Sequence, residues 1–293
     1  MQIIVNGLIL GSVYALIALG YTMVYGIIKL INFAHGDVYM MGAFIGYFLI
    51  NNLHMNFYIA LILSMILTGC LGVIIEFLAY RPLRNSTRIA ALITAIGVSF
   101  LLENVMIYFF GSSARQFPQA IEVKKYTFGS INITNIQLMI LITSLVLMIL
   151  LQLIVQKTKM GKAMRAVSVD TEAAQLMGIN VDHTISFTFA LGSALAGAAG
   201  VMIGLYYGSI DPLMGMTPGL KAFVAAVLGG IGIIPGAALG GIVIGLLETF
   251  TQSLPGKLSW LAGYKDAVVY AILIIILLVK PSGILGKDVK EKV

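Results

Sequence analysis

The sequence is poor in charge. Of its 293 residues, 18 are Lys or Arg and 12 are Asp or Glu, so charged residues make up 10% of the chain and hydrophobic ones 59%. An average soluble domain is about 25% charged, so this composition excludes a soluble fold. The alternation of apolar and polar residues typical of a membrane β-barrel is also missing. The expected fold is therefore all-α, a polytopic transmembrane helical bundle.

Residues for covalent and metal chemistry are scarce as well. Cys70 is the one cysteine, which excludes an intrachain disulfide, and its place in an apolar run predicts a small buried hydrophobe. The motifs GxxxxGK[ST], GxSxG, HExxH and CxxC do not occur. We therefore expect no catalytic residue, no cofactor and no metal site, and an enzyme is disfavoured.

About eight apolar segments follow one another, and a helix of about 20 such residues crosses the hydrocarbon of a bilayer. Two of them are irregular: segment 38–50 is too short to cross upright, and segment 221–252 is too long for one span and broken at GGIGIIPG. We treat residues 1–293 as one transmembrane domain. The segments are roughly 3–28, 38–50, 58–79, 89–110, 136–156, 184–208, 221–252 and 266–280.

Basic residues cluster beside these segments and predict the orientation. Loop 80–88, loop 157–183 and the C-terminal tail carry them, and two crossings separate the first two loops, so all three should be cytoplasmic. The net charge of +6 is therefore explained by orientation in the membrane. We expect contact with lipid and not with nucleic acid. Counting crossings puts the amino terminus outside, unless segment 38–50 re-enters. The residues are Arg81, Arg84, Arg88, Lys157, Lys159, Lys162, Arg165, Lys280, Lys287, Lys290 and Lys292.

Two interruptions of the apolar pattern are candidates for a substrate path. The segment KLINFAHGD, residues 29–37, interrupts two apolar runs with polar residues that should face protein or a cavity. They are Asn32, His35, Gly36 and Asp37. His35 could be a proton relay, a ligand group or a capped loop histidine. The second interruption lies within 229–236 and is either a pathway element or a kink used for packing. Its helix-weakening residues are Gly229, Gly230, Gly232 and Pro235.

The charged loop GKAMRAVSVDTEAAQLMGIN, residues 161–180, is a candidate docking element. Asp170 or Ser168 can cap a short helix, and Gly178 supplies its end. Apolar residues such as Leu176 and Met177 would then be presented to a groove on a partner. The alternative is a helix lying flat on the membrane interface.

The few acidic residues inside the apolar segments bear on the type of transport. Glu76, Glu103 and Glu248 are expected in the outer parts of their spans, where carboxylates reach water or headgroups. An ion-coupled carrier more often places acids near the midplane. A stand-alone channel or ion-coupled secondary transporter for small polar solutes nevertheless stays open as the alternative, ahead of a membrane-embedded enzyme or scaffold.

Four stretches in order resemble the permease of the branched-chain amino acid ABC importers. They are NGLILGSVYALIALGYTMVYGIIKLINFAHGD, MGKAMRAVSVDTEAAQLMGIN, GLKAFVAAVLGGIGIIPGAALGGIVIGLLE and YKDAVVYAILIIILLVKPSGILG. The resemblance implies an ATP-driven importer of branched-chain or related amino acids in the bacterial inner membrane. It also implies four partner chains: a second homologous permease, two cytoplasmic ATPases and an extracytoplasmic substrate-binding protein.

The resemblance also assigns expected roles to residues. It places Asn32, Phe33, His35 and Gly36 in a polar break that lines the substrate path. It makes the loop 157–183 the element that couples the permease to the ATPase. The positions expected to matter there are Gly161, Arg165, Asp170, Ala173, Ala174 and Gly178.

Overall fold

Helices account for most of the chain in the computed structural model, which describes residues 1–84, 86–129, 131–254 and 262–286. A π-helical segment, Glu76–Tyr80, and a 3₁₀ turn, Arg81–Leu83, continue the third α-helix. Lys287, Lys290 and Lys292 of the predicted cytoplasmic tail lie outside the described residues. The α-helices are α1 Gln2–Ile28, α2 His35–Asn51, α3 Phe57–Ile75, α4 Arg88–Phe110, α5 Asn135–Lys157, α6 Lys159–Val169, α7 Thr171–Leu176, α8 Val181–Tyr207, α9 Met216–Gly229, α10 Ile234–Gln252 and α11 Lys265–Val279.

Seven helices of the described ranges are long and apolar enough to cross a membrane. This confirms the polytopic helical bundle. The two segments predicted to be irregular are the ones that differ: 38–50 becomes the 17-residue α2, and 221–252 divides into the 14-residue α9 and the 19-residue α10. The glycines and Pro235 separate these two helices at residues 230–233, as the sequence predicted.

The two ends of the bundle are distinguished by their contacts. At one end, which we call the N-terminal face, the side chain of Gln2 exchanges hydrogen bonds with the backbone of Asn132. At the other end, which we call the basic face, α6 packs on the end of α5, and the backbone of Ile284 bonds to Leu228. The predicted cytoplasmic loops 80–88 and 157–183 both lie at the basic face.

Short strands join loops at the N-terminal face. Strand β1, Arg115–Gln116, pairs antiparallel with β4, Ser209–Ile210, while β2, Lys125–Phe128, and β3, Ile131–Thr134, form a hairpin. The β1–β4 pair ties the loop before α5 to the end of α8. These strands are connections on the surface of a helical fold.

Helices α2 and α9 begin inside the bundle. The imidazole of His35, the first residue of α2, packs against Gly20 of α1, and the backbone of Gly36 packs against Gly215 and Gly219. Gly20 lies eight residues before the end of α1, about 12 Å into the bundle at 1.5 Å per residue. From this level α2 runs to the N-terminal face and α9 runs to the basic face.

This arrangement relates the two halves of the chain. Helices α1–α4 follow the order long helix, half-helix, helix, helix, and α8–α11 repeat that order in the opposite direction through the bundle. Inverted repeats whose half-helices meet near the midplane are a common architecture of transporters. Helix α5 and the loop carrying α6 and α7 connect the two halves.

Close backbone contacts at glycines hold the central helices together. A side chain at Gly42 of α2 would overlap the backbone of Gly197 in α8, and one at Gly11 of α1 would overlap Ile242 in α10. Small residues allow such approach, which maximises van der Waals contact where lipid offers no hydrophobic drive. These glycines therefore serve helix packing.

A buried ionic network joins α1, α9, α10 and α11. The carboxylate of Glu248 accepts hydrogen bonds from the hydroxyl of Tyr14 at 2.8 Å and from Nζ of Lys221 at 2.8 Å, and Nζ of Lys265 lies 2.9 Å away. Nζ of Lys221 also lies 2.6 Å from Oδ1 of Asp266. Two cations therefore balance two anions, which is the condition for keeping charge inside a bundle.

Replacing Lys221 with Met should destabilise the protein by about 3 kcal/mol, because it leaves a buried carboxylate with one cation fewer. Lys265 and Tyr14 would still bond to Glu248, which keeps the loss at the lower end of the range for such changes. Unfolding in detergent measures the effect. Lys124→Met, at an exposed loop position, is the control, and equal stability of the two variants would contradict the role of the network.

Candidate functional site

In the polar break, residues 29–37, Asn32 and residues 34–37 are buried, whereas Lys29 is exposed, and aromatic side chains hold the buried part. Asn32 is 3% exposed, and its Oδ1 accepts a hydrogen bond from the hydroxyl of Tyr80 at 2.9 Å. The ring of His35 lies edge-on to Tyr21 at 4.8 Å, and Phe33 packs against Phe223 of α9 at 5.9 Å. The structure therefore brings Asn32, Phe33, His35 and Gly36 into the centre of the bundle, between α1 and the start of α9.

Asp37, which the sequence places in the polar break without assigning it a role, adds a carboxyl group to this centre. It lies in the first turn of α2, is 2% exposed, and accepts a hydrogen bond from the hydroxyl of Ser99 in α4. The side chain of Glu103, one turn further along α4, also lies against it. The spacing of Ser99 and Glu103, four residues apart on one helix, was a signal for this site.

The second predicted interruption lies elsewhere. Gly230 and Gly232 have φ of 106° and 92° and form the turn between α9 and α10, and Pro235 lies in the first turn of α10. Gly229 and Gly236 touch through their backbones, so the two helices form a close hairpin. Its tip, residues 230–233, reaches the basic face, because Gly232 lines a cavity of about 80 Å³ with residues of α1, α5 and α6. The turn between α9 and α10 therefore lies at the basic face, whereas His35 and Gly36 of the polar break lie deeper in the bundle.

The loop predicted to couple to an ATPase, residues 157–183, which we call the coupling loop, contains two short helices, α6 and α7. Thr158 caps α6 by accepting a hydrogen bond from Gly161 N at 3.0 Å, and Asp170 caps α7 by accepting one from Ala173 N at 2.9 Å. Gly178 ends α7 with φ of 81°, a left-handed conformation that favours glycine. The predicted cap at Asp170 and the predicted stop at Gly178 are therefore present.

Two of the predicted coupling residues contact the end of α5. Gly161 packs against the carbonyl groups of Ile154 and Val155 at the end of α5, and the guanidinium of Arg165 donates a hydrogen bond to the Val155 carbonyl. Gly161 and Ala174 are buried, whereas Arg165 is exposed despite this bond. The contacts of Gly161 and Arg165 fix the position of the loop, and Asp170, Ala173 and Gly178 lie exposed at its surface.

Three large apolar side chains of the loop are almost fully exposed. They are Val169 (87%), Leu176 (89%) and Met177 (82%), which we call the docking patch. Leu176 and Met177 were predicted to present apolar surface, whereas Val169 was missed because it ends α6, outside the short helix that the sequence suggested. Apolar side chains exposed on an ordered polar loop are typical of a protein-binding surface.

The expectation that the intramembrane glutamates reach water is wrong. Glu76 is 0% exposed, Glu248 2% and Glu103 8%. Glu76 is bonded to Arg84, and Glu248 belongs to the ionic network of α9–α11. Position along an apolar segment does not reveal which side of a helix faces the bundle. Cys70 also differs from its prediction, because it lies exposed on the side of α3 that points away from the core.

These features define a class, a polytopic helical membrane protein of transporter type with two half-helices meeting inside the bundle. Residues 3–277 match the family model of the branched-chain amino acid transport system / permease component. The chain belongs to this family.

Relatives along the full length support the assignment. The chain is 44% identical to the high-affinity branched-chain amino acid transport system permease protein LivH of Salmonella typhimurium, over 100% of this chain and 97% of LivH. It is 43% identical to the corresponding protein BraD of Pseudomonas aeruginosa, over 100% of this chain and 98% of BraD. A solved structure, PsaBC from Streptococcus pneumoniae in complex with Fab, superposes with a TM-score of 0.50 at 12% identity, covering 96% of this chain and 93% of that one. The last similarity concerns the fold alone.

Gly161→Ala should loosen α6, because the added methyl group meets the carbonyls that end α5 and overpacking costs about 1–3 kcal/mol. Hydrogen exchange of residues 159–169 should become faster. The control is Gly97→Ala, at a helical position with open space around it. Unchanged exchange in Gly161→Ala would show that α6 does not depend on this contact.

Proposed function

We propose that this chain is the transmembrane permease subunit of an ATP-driven importer that moves branched-chain or related amino acids into the cytoplasm. The substrate class follows the names of the relatives, which are branched-chain amino acid permeases. They match this chain along nearly their full length. In this proposal the chain forms one transmembrane domain in the bacterial inner membrane. A second homologous permease, two ATPases and an external substrate-binding protein complete the transporter.

The single observation that carries the proposal is the docking patch in a chain of this family. Val169, Leu176 and Met177 expose apolar surface on a loop that is anchored firmly beneath them by Arg165. The chain has no nucleotide-binding motif of its own. In this proposal the energy comes from another subunit, and the patch is where that subunit binds.

The path for the substrate is proposed to pass the polar break. There the amino-terminal ends of α2 and α9 meet, beside the carboxyl groups of Asp37 and Glu103. Half-helix ends near the midplane are the usual place of substrate contact in transporters. Asn32, Phe33, His35 and Gly36 belong to this region, and the hairpin tip with Gly229, Gly230, Gly232 and Pro235 would form the path's cytoplasmic end.

The proposed mechanism is alternating access driven from the basic face. ATP binding closes the ATPase pair and displaces the coupling loop, which rocks the helices so that the path opens towards the binding protein. Hydrolysis then restores the first state. The chain itself supplies no chemical step and transmits movement between a docking surface and a gate.

The orientation is tested with single cysteines in a Cys70→Ala background, since Cys70 is exposed. We expect a membrane-impermeant maleimide to label Glu122→Cys in intact spheroplasts and to label Lys162→Cys only after the membrane is opened. The reason is that the basic face carries the arginines and lysines of loops 80–88 and 157–183. The reverse labelling pattern would overturn the orientation.

The docking patch is tested with Leu176→Glu. A charge in the centre of an apolar contact costs about 2 kcal/mol or more, so ATPase affinity should fall roughly 30-fold and leucine uptake should fall with it. Co-purification of the ATPases and uptake of radiolabelled leucine are the measurements. Leu53→Glu, 52% exposed at the N-terminal face, is the control for ATPase binding. Full ATPase retention by Leu176→Glu would remove the patch from the interface.

A further inference from the structure

The coupling loop leads directly into a network of charged side chains. Asn180 caps α8 at the end of the loop, and the first turns of α8 carry Asp182 and Ser186. The guanidinium of Arg84 bonds to Asp182, and the hydroxyl of Ser186 donates to Oε2 of Glu76 at 2.7 Å. The beginning of α8 is thus tied to the segment that follows α3.

Glu76 is the centre of this network. Its carboxylate is fully buried, bonded to the guanidinium of Arg84, and 3.6 Å from Nε of Arg81. Arg84 therefore bridges Glu76 and Asp182, whose side chain is 57% exposed. A buried carboxylate with two arginines is a firm anchor, whereas the partly exposed Asp182 can separate from Arg84 at small cost.

The same segment reaches the polar break one turn later. Glu76–Tyr80 is π-helical, and the hydroxyl of Tyr80 donates to Oδ1 of Asn32 at 2.9 Å. The Tyr80 ring also packs on Phe189 of α8 at 5.2 Å. One five-residue stretch, which we call the relay segment, thus touches the start of α8 at one end and the polar break at the other.

Its geometry suits movement. π-helical turns are wider and less stable than α-helical ones, and they occur often at functional sites inside helices. The segment sits where the α-helical part of α3 ends at Ile75 and the 3₁₀ turn begins at Arg81. A change between these helical forms alters the direction of Tyr80 relative to Glu76 without unfolding α3.

We propose that the relay segment transmits movement of the coupling loop to the polar break. This inference rests on the proposed function and extends it, because it names Glu76, Arg84, Asp182, Tyr80 and Asn32 as positioning residues. Displacement of the loop pulls the first turn of α8, Arg84 conveys the pull to Glu76, and Tyr80 shifts Asn32. A contiguous set of contacts is the necessary condition for such coupling, and measured coupling is the test.

Two mild variants probe the two ends of the relay segment. Tyr80→Phe removes only the hydroxyl that holds Asn32, and Asp182→Asn removes the charge that holds Arg84 while leaving Glu76 paired. The protein is reconstituted with the second permease, both ATPases and the binding protein, and leucine uptake and ATP hydrolysis are measured together. We expect each variant to lower leucine moved per ATP roughly fivefold or more, with unchanged ATPase co-purification and melting temperature.

The double variant separates coupling from two unrelated defects. If both residues act through one relay, the double variant Tyr80→Phe with Asp182→Asn should move as much leucine per ATP as the more impaired of the two single variants. Losses that multiply in the double variant, or an unchanged leucine-to-ATP ratio in the single variants, would overturn the inference. The controls are Tyr58→Phe, on the exposed side of α3, and Glu122→Gln, an exposed acid at the N-terminal face.

Hydrogen exchange of residues 29–34 tests the relay without reference to the substrate. In the assembled complex, addition of ATP should change exchange in this segment, and Tyr80→Phe should abolish that change. Absence of an ATP-dependent change in the unmodified complex would overturn the relay. Failure of the unmodified complex to import leucine would instead count against the proposed substrate class, so the two failures are distinguishable.

Discussion

Close backbone packing at glycines is the constraint on which the rest of this structure depends. Lipid gives apolar helices little reason to associate, so contact has to come from van der Waals packing over short distances. Gly20 and Gly192 bring α1 against α8, while Gly36 and Gly215 bring α2 against the start of α9. Larger side chains would push these helices apart. The first turns of α2 and α9 would then be exposed to lipid. Half-helices inside the bundle are possible because their ends are sealed by this packing.

Buried carboxylates lie where helices of the bundle meet. Glu248 joins the α9–α10 hairpin to α1 and α11, and Glu76 joins α3 to the start of α8. Glu248 is paired with cations of α9 and α11, so these helices cannot leave α10 without exposing an unpaired charge. Glu76 is paired with Arg81 and Arg84, which follow it in the chain, and α8 is attached there through Ser186 and Asp182. Helix α11 illustrates the point, because Val269 is its one buried residue, so the ion pairs of Lys265 and Asp266 add to the attachment that its partly buried apolar side chains give.

Sequence reasoning succeeded where the signal is local and failed where it depends on distant partners. Apolar length gives the spans, glycine and proline give the break after α9, and Asp170 and Gly178 give the limits of α7. The pairing of Arg84 with Asp182 joins residues 98 positions apart, and no periodicity indicates it. The same limit hid the burial of Glu76, as well as the hydrogen bond that the exposed Arg165 donates to the Val155 carbonyl. The spacing of Ser99 and Glu103 places them on one face of α4. The sequence does not show that Asp37 of α2 packs against that face.

The firmness of the coupling loop decides what its exposed surface can do. A mobile loop with apolar side chains would yield to a partner and absorb its movement. This loop is capped at Thr158 and Asp170, seated on α5 through Gly161 and Arg165, and continued into α8 through Asn180. A force applied to the docking patch therefore reaches α5 and α8 together. Because α5 connects the two inverted halves of the chain and α8 opens the second, such a force acts between those halves, which is where the polar break lies.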